Sequence, residues 1–238
     1  MKSLLIIKTG RTVKSLLARG EDFEGWMIAA MDVSSDDVKV VSVYQYEALP
    51  ELDTVSGMII TGSPAMITDG EDWNFTTMDY VREAVRREIP LLGICYGHQL
   101  LALAFGGKVD FHPAGREIGT VTINLTSNAL EDPLFKDLPN TFPAQSSHSQ
   151  SVIDLPAEAV LLACNDFESH HSFKLGSNAW SIQFHPEFSQ SIMDEYIIER
   201  REILTEEGVD VDALLTQTRA TPEATSVLKN FSALVQWD

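Results

Sequence analysis

Apolar residues first gather in a short run, Leu4 to Ile7, which predicts a buried strand ending at Thr9-Gly10. Phe23, Trp26, Met27 and Ala30 recur at helical spacing and predict an amphipathic helix over residues 21–31. Val38 to Tyr44 alternates and is rich in β-branched residues, the pattern of a second strand. Gly57 to Thr61 predicts a third strand, short and apolar, ending at Gly62. Phe75, Met78, Val81 and Val85 mark a helix, a strand follows from Pro90, and Gln99 to Phe105 predicts another helix. This order implies an α/β fold, a mostly parallel central sheet with helices on both faces. In such sheets, sites lie beyond the carboxyl ends of the strands. Gly62, Cys95 and His185 each follow a predicted strand.

Residues 107–184 are patterned differently. Short strand-like runs, Thr120 to Leu125, Val160 to Cys164 and Ala179 to Phe184, are separated by loops rich in Pro, Asn and Ser, the longest from Pro133 to Pro156. Beyond Glu187, Ile192, Met193, Tyr196, Ile197 and Leu204 predict a helix. Thr221-Pro222-Glu223 predicts a helix start, with Thr as cap and Pro in the first turn. Val227, Leu228, Phe231, Leu234 and Val235 then form one apolar stripe. The expected organisation is a domain over residues 1–189 and a helical C-terminal extension over 190–238 packed on it. A docking surface for another subunit is the alternative use of that stripe.

Charge and cysteine content narrow the class. The 238 residues carry 17 Lys and Arg against 35 Asp and Glu, a net charge of −18, which argues against nucleic acid as a partner. Two cysteines do not make a disulfide framework. Cys164, inside an apolar run, is expected in the core. The apolar start is too short for a signal segment, and no run approaches a membrane span. A soluble, cytoplasmic protein with no membrane contact is expected.

The candidate chemistry lies in Gly93-Ile94-Cys95-Tyr96-Gly97. A predicted strand enters it and a predicted helix leaves it, the layout of a nucleophile on a tight turn. The two glycines let strand and helix approach closely. The sulfur would sit at a helix N-terminus, where the dipole and free N–H groups favour a thiolate. The N–H of Tyr96 is placed to stabilise an oxyanion. A buried core cysteine with glycines nearby is the bland alternative. Against it stands Gln183-Phe184-His185-Pro186-Glu187, which supplies a base and an acceptor to orient it.

Gly-Ile-Cys-Tyr-Gly-His-Gln with Gln-Phe-His-Pro-Glu resembles the class I glutamine amidotransferase family, and the turn Thr61-Gly62-Ser63-Pro64 fits that family's oxyanion loop. The resemblance is to a stand-alone amidotransferase-like protein related to the glutaminase domain of GMP synthases. It implies a flavodoxin-like sheet and a triad of Cys95, His185 and Glu187. It implies an oxyanion hole from Gly62 and Tyr96, with Ser63 where a second glycine is common. Gln99 would help hold substrate. Ser147, His148 and Ser149 match a segment beside the bound glutamine, expected as a loop, although Gln150 replaces an acid there. A turn histidine bonded to backbone is an equal reading of His148.

The implied reaction is hydrolysis of the glutamine side-chain amide through a Cys95 thioester, releasing ammonia, without cofactor or metal. A separate synthetase subunit would be the acceptor partner, since the chain has no phosphate-binding Gly-rich loop with Lys. A hydrolase of another γ-glutamyl compound, such as a γ-glutamyl peptide, is the alternative, and a non-catalytic binding module is the third. Other histidines are read as structural. His98 would point along its helix flank, His112-Pro113 lacks a following Glu, and His170-His171 is a loop pair without further metal ligands. Gly115-Arg116-Glu117-Ile118-Gly119 resembles a family stretch and is read as a strand entry.

Overall fold

A computed structural model describes residues 2–237. The chain runs β1 (Ser3–Lys8), α1 (Lys14–Leu17), α2 (Phe23–Met31), β2 (Val38–Ser42), β3 (Val55–Ile60), α3 (Asp72–Arg86), β4 (Leu91–Ile94) and α4 (Tyr96–Ala104). Next come β5 (Lys108–Phe111), β6 (Glu117–Leu125), β7 (Thr141–His148), β8 (Gln150–Asp154), β9 (Val160–Cys164), β10 (Ser172–Leu175) and β11 (Ala179–Ile182). Four helices end it: α5 (Gln190–Glu199), α6 (Arg201–Glu206), α7 (Val211–Gln217) and α8 (Pro222–Leu234).

One nine-stranded sheet, in the order β2-β1-β3-β4-β11-β10-β9-β6-β7, organises these elements. Strands β2, β1, β3, β4 and β11 are parallel neighbours. The region after residue 107 contributes an antiparallel wing, β11-β10-β9-β6-β7, and β5 pairs with β8 separately.

The period of two along each strand divides the core. Leu4, Ile6, Ile59, Leu92 and Ile94 face one side, with α2, α5 and α8. Leu5, Ile7, Met58, Ile60 and Leu91 face the other, with α3 and α4. Both faces of β1, β3 and β4 are covered, so these strands read as unbroken apolar runs.

Several expectations shift. Helix α4 begins at Tyr96, directly after the cysteine, rather than at Gln99. Phe75 is 58% exposed, and the buried face of α3 is formed by Trp73, Met78, Val81 and Ala84. Val43 and Tyr44 turn out of β2 into a 3₁₀ turn. The stretch 133–156 is not one long loop, because it holds β7 and β8. Thr221 occupies the cap position of α8, but its side chain makes no capping hydrogen bond.

The stripe on α8 faces its own chain. Val227, Leu228 and Phe231 are fully buried, and the helix packs on α2 and β7. Phe231 meets Trp180 edge-to-face at 6.4 Å. A Cβ added at Gly57 would lie 2.7 Å from Val235, so β3 is glycine where the C-terminus crosses it.

Candidate active site

Cys95 stands between β4 and α4 at φ 52° and ψ −99°, a conformation side chains rarely adopt. Such strain costs about 1–3 kcal/mol and persists only where the surroundings over-determine it. Here they do. The Cys95 N–H donates to the Ile182 carbonyl at 2.8 Å, and its own carbonyl accepts from Gln99 N–H at 3.1 Å. A Cβ at Gly93 would meet the Gly97 carbonyl oxygen at 2.5 Å, and one at Gly97 would meet that of Ile60 at 2.5 Å. Both glycines are therefore required by close approach of backbone to backbone.

His185 follows β11, and its N–H donates to the Gln145 carbonyl at 2.8 Å. Its Nδ1 pairs with Glu187 Oε1 at 2.7 Å. The ring stacks on Phe188, with centroids 4.1 Å apart and planes 16° apart. Its remaining nitrogen is left for the Cys95 side chain, since the two residues line one cavity and both flank Gly62. Burial pulls the imidazole's basicity down. The Glu187 carboxylate and the charge on the Cys95 sulfur outweigh it and raise the pKa to about 10. The site thus favours the charged form of the His185 ring, with Glu187 as its partner.

Gly62 follows β3 and Thr61. Its carbonyl is held by the hydroxyls of Thr9 and Thr61 at 3.0 and 2.9 Å. Ser63, where the family resemblance has a second glycine, donates to the Thr9 carbonyl at 2.8 Å, which pins the turn. A Cβ on Gly62 would lie 3.6 Å from Cys95 Cβ, so this loop reaches the Cys95 side chain. Tyr96 opens α4, where its N–H has no intrahelical partner. The Tyr96 hydroxyl donates to Asn74 at 2.7 Å, fixing the start of the helix.

Gln99 is brought to the site, but its amide is committed. Nε2 donates to the Gln150 carbonyl at 2.7 Å and to Gln183 Oε1 at 3.1 Å. The segment 146–152 is the end of β7 and the start of β8 rather than a free loop. The Ser147 carbonyl lies 4.0 Å from the Cys95 Sγ. Ser149 lines the same cavity, and its hydroxyl is buried without a partner. His148 is engaged at both nitrogens, with the Gln150 carbonyl at 3.1 Å and Glu117 at 3.0 Å. Gln150 accepts from Ile67 N–H at 3.0 Å and donates to Thr68 Oγ1 at 2.6 Å. Its amide thus ties the β7–β8 turn to the loop after Gly62.

Glu117 is more than a strand entry. It accepts from Ser146 and Asn165 at 2.8 Å each, and lies 3.0 Å from His148 and 3.2 Å from His171. Burial alone would raise its pKa, but His148 and His171 hold the carboxyl far below its usual range. His171, in the bend before β10, is a fully buried member of this cluster. His98 points away from the sulfur and bonds Ser181 at 2.9 Å, and burial drives its basicity well below normal. His112 stacks on Phe167 at 4.0 Å. Cys164 is half-buried on β9. Among the described residues no group of His, Cys, Asp and Glu is arranged to hold a metal ion. Nor is any of their helices long and apolar enough to cross a membrane.

Two cavities meet at Cys95. One of about 400 Å³ includes His185. One of about 60 Å³ includes Tyr96, Gln99 and residues 147–150. Arg200, from the end of α5, borders both. No sequence pattern pointed to it.

Fold and site together define an α/β protein of the amidotransferase and hydrolase kind. The family model for Glutamine amidotransferase class-I matches residues 21–203, and the chain belongs to that family. It is 34% identical over 188 residues to a glutamine-hydrolysing GMP synthase of Petrotoga mobilis, covering 79% of this chain but 33% of that protein. The chain thus spans about a third of the GMP synthase. It is 28% identical over 181 residues to γ-glutamyl peptidase 5 of Arabidopsis thaliana, covering 75% of this chain and 68% of that one. A glutamine amidotransferase of Thermotoga maritima shares the fold with a TM-score of 0.77 at 21% identity, over 97% of this chain and 96% of that one.

Proposed function

We propose that this protein hydrolyses γ-glutamyl amides, with glutamine as the first candidate substrate, through a thioester on Cys95. The observation that carries this reading is His185, bonded to Glu187 at 2.7 Å on one side and facing the Cys95 sulfur on the other. The thiolate attacks the γ-carbonyl carbon. The N–H groups of Tyr96 and Gly62 stabilise the oxyanion, and loss of one such donor costs about 10²–10³ in rate. His185 gives its proton to the leaving nitrogen, then draws one from the water that cleaves the thioester. Glu187 holds the ring's orientation and charge throughout. Gln99, Ser147, His148 and Ser149 form the wall against which the γ-glutamyl group lies. His148 acts by holding that wall, since both its nitrogens are bonded, and Gln99 holds it through Nε2 while its Oε1 stays available to substrate.

Ammonia would pass to a separate synthetase subunit, by likeness to the glutamine-hydrolysing relatives, in the cytoplasm. A second reading is hydrolysis of γ-glutamyl peptides, supported by the large cavity beside His185. Incubating purified protein with glutamine and measuring glutamate and ammonia tests the first reading. Release that vanishes in Cys95→Ala is the expected result. Undiminished release from that variant would sink the assignment.

A further inference from the structure

The position of His185 distinguishes the two cavities at Cys95. The proton that frees the leaving nitrogen comes from His185, so the leaving group lies on the His185 side. That side holds the cavity of about 400 Å³. Ammonia fills about the space of one water molecule, roughly 30 Å³. The cavity is much larger than glutamine's leaving group needs. Its lining combines apolar residues such as Phe23 and Pro64 with Arg200, and Arg11, Lys14 and Glu199 also border it.

Arg200 differs from the other arginines nearby. Arg116 is paired with Glu207 through two contacts of 3.1 Å, and Arg11 lies 3.4 Å from Asp22. The Arg200 guanidinium lies over the Tyr196 ring, 4.6 Å from its centroid, and donates to the Tyr196 carbonyl at 3.4 Å. The Tyr196 hydroxyl is in turn fixed by Thr12 at 2.8 Å. Glu199, its neighbour in sequence, is turned toward the backbone of Lys14 and Ser15. No carboxylate among the described residues forms an ion pair with Arg200. In a chain of net charge −18, this is a half-buried cation held in place beside the nucleophile without an ion-pair partner among the described residues.

We propose that the His185-side cavity is a leaving-group subsite for an amino acid or short peptide joined through its amine to the γ-carboxyl of glutamate, and that Arg200 binds the free carboxylate of that leaving group. This rests on the Cys95 chemistry proposed above and specifies its substrate class. Sγ bonds to the γ-carbonyl carbon, the carbon–nitrogen bond breaks, and the His185 proton goes to the nitrogen. The amino acid departs, and water then cleaves the thioester to give glutamate and the free thiol.

The test compares γ-glutamylglycine with γ-glutamylglycinamide, which lacks the terminal carboxylate, alongside glutamine. The protein should prefer the free acid in kcat/KM by about 10- to 100-fold, the range for a charge-assisted contact. Arg200→Ala should collapse that ratio toward one, and Arg200→Lys should retain part of it. A ratio of one in the parent protein, or one unchanged in Arg200→Ala, overturns the proposal. So does an equal loss on both substrates with a shifted pH profile, which would make Arg200 a support for the sulfur's charge. Cleavage of glutamine but of neither dipeptide refutes the subsite and leaves the Cys95 chemistry standing. Release of glutamate from none of the three refutes both.

Discussion

A first side-chain carbon on Gly62 would stand 2.9 Å from Cε1 of His185. The Gly62 loop and the His185 ring are therefore packed to contact, and only hydrogen fits between them. Gly62 is not in the left-handed region, so alanine there is sterically costly to His185 and not to its own backbone. Gly62→Ala should lower kcat at least about 10²-fold, the scale of a displaced oxyanion donor, and cost about 1–3 kcal/mol of stability, the scale of overpacking a filled site. Steady-state kinetics beside a thermal melt checks this. A variant with normal kcat would mean that the loop is free to recede and is not part of the site.

The backbone at Cys95 stores strain, at φ 52° and ψ −99°, that fits the proposed nucleophile position. Cys95→Ala and Cys95→Gly should both be inactive. Glycine relieves a conformation that costs about 1–3 kcal/mol, against its own entropic cost of about 0.5–1 kcal/mol. The glycine variant should therefore melt higher than the alanine variant. Cys164→Ser, away from the site on β9, should keep its activity. A dead Cys164 variant with a working Cys95 variant would reverse the assignment.

The tight turn at Cys95 and the His185–Glu187 pair were legible because each is local. A strand-like run, two glycines and a helix-like run surround Cys95, and His185 and Glu187 are two residues apart. Strands β7 and β8 were not, because strands are sought by apolar alternation. Gln145, Ser146, His148, Gln150 and Ser151 are all buried, yet they read as a polar loop. Glu117 was missed for a related reason. Its partners come from positions 146, 148, 165 and 171, so nothing within its own stretch marks it as a buried carboxylate. Arg200 lies at the end of a helix whose apolar face alone carried the prediction.

The His185 pKa, raised to about 10 from 6.5, ties both stability and activity to pH. A group whose folded pKa is raised stabilises fully below its unfolded value and loses that contribution as pH climbs through the folded one. Stability should therefore decline between pH 6.5 and about 10, and a His185→Gln variant should lose that part of the decline. Acylation needs the protonated ring, so kcat/KM should fall at the alkaline end. Glu187→Gln removes the partner carboxylate and should move that alkaline limb to lower pH. A pH–rate profile with the same limb in both proteins would break the link between Glu187 and the base.

Gln150 uses both ends of its amide to hold the loop after Gly62. Gln150→Leu strands the Ile67 N–H, at about 1–3 kcal/mol for a buried donor. Denaturant melts should show that loss. Kinetics should show a raised KM as the Gly62 loop loosens. Unchanged values for both would mean that the amide contacts are incidental.

The C-terminal stripe supports a sharper test. Phe231 is fully buried against Trp180, and Val235 fills the space left by Gly57, so α8 closes the same core that carries β3 and β4. Phe231→Ala should cost about 3–5 kcal/mol, each kcal/mol lowering the melting temperature by roughly 2–4 °C in a chain of this size. Deleting residues 221–238 should lower it further, and by the same amount at every protein concentration, because the lost contacts are within one chain. If the truncated protein instead melts like the full chain but no longer oligomerises or binds a synthetase subunit, the stripe is a partner surface and the intramolecular docking of α8 is not what it serves.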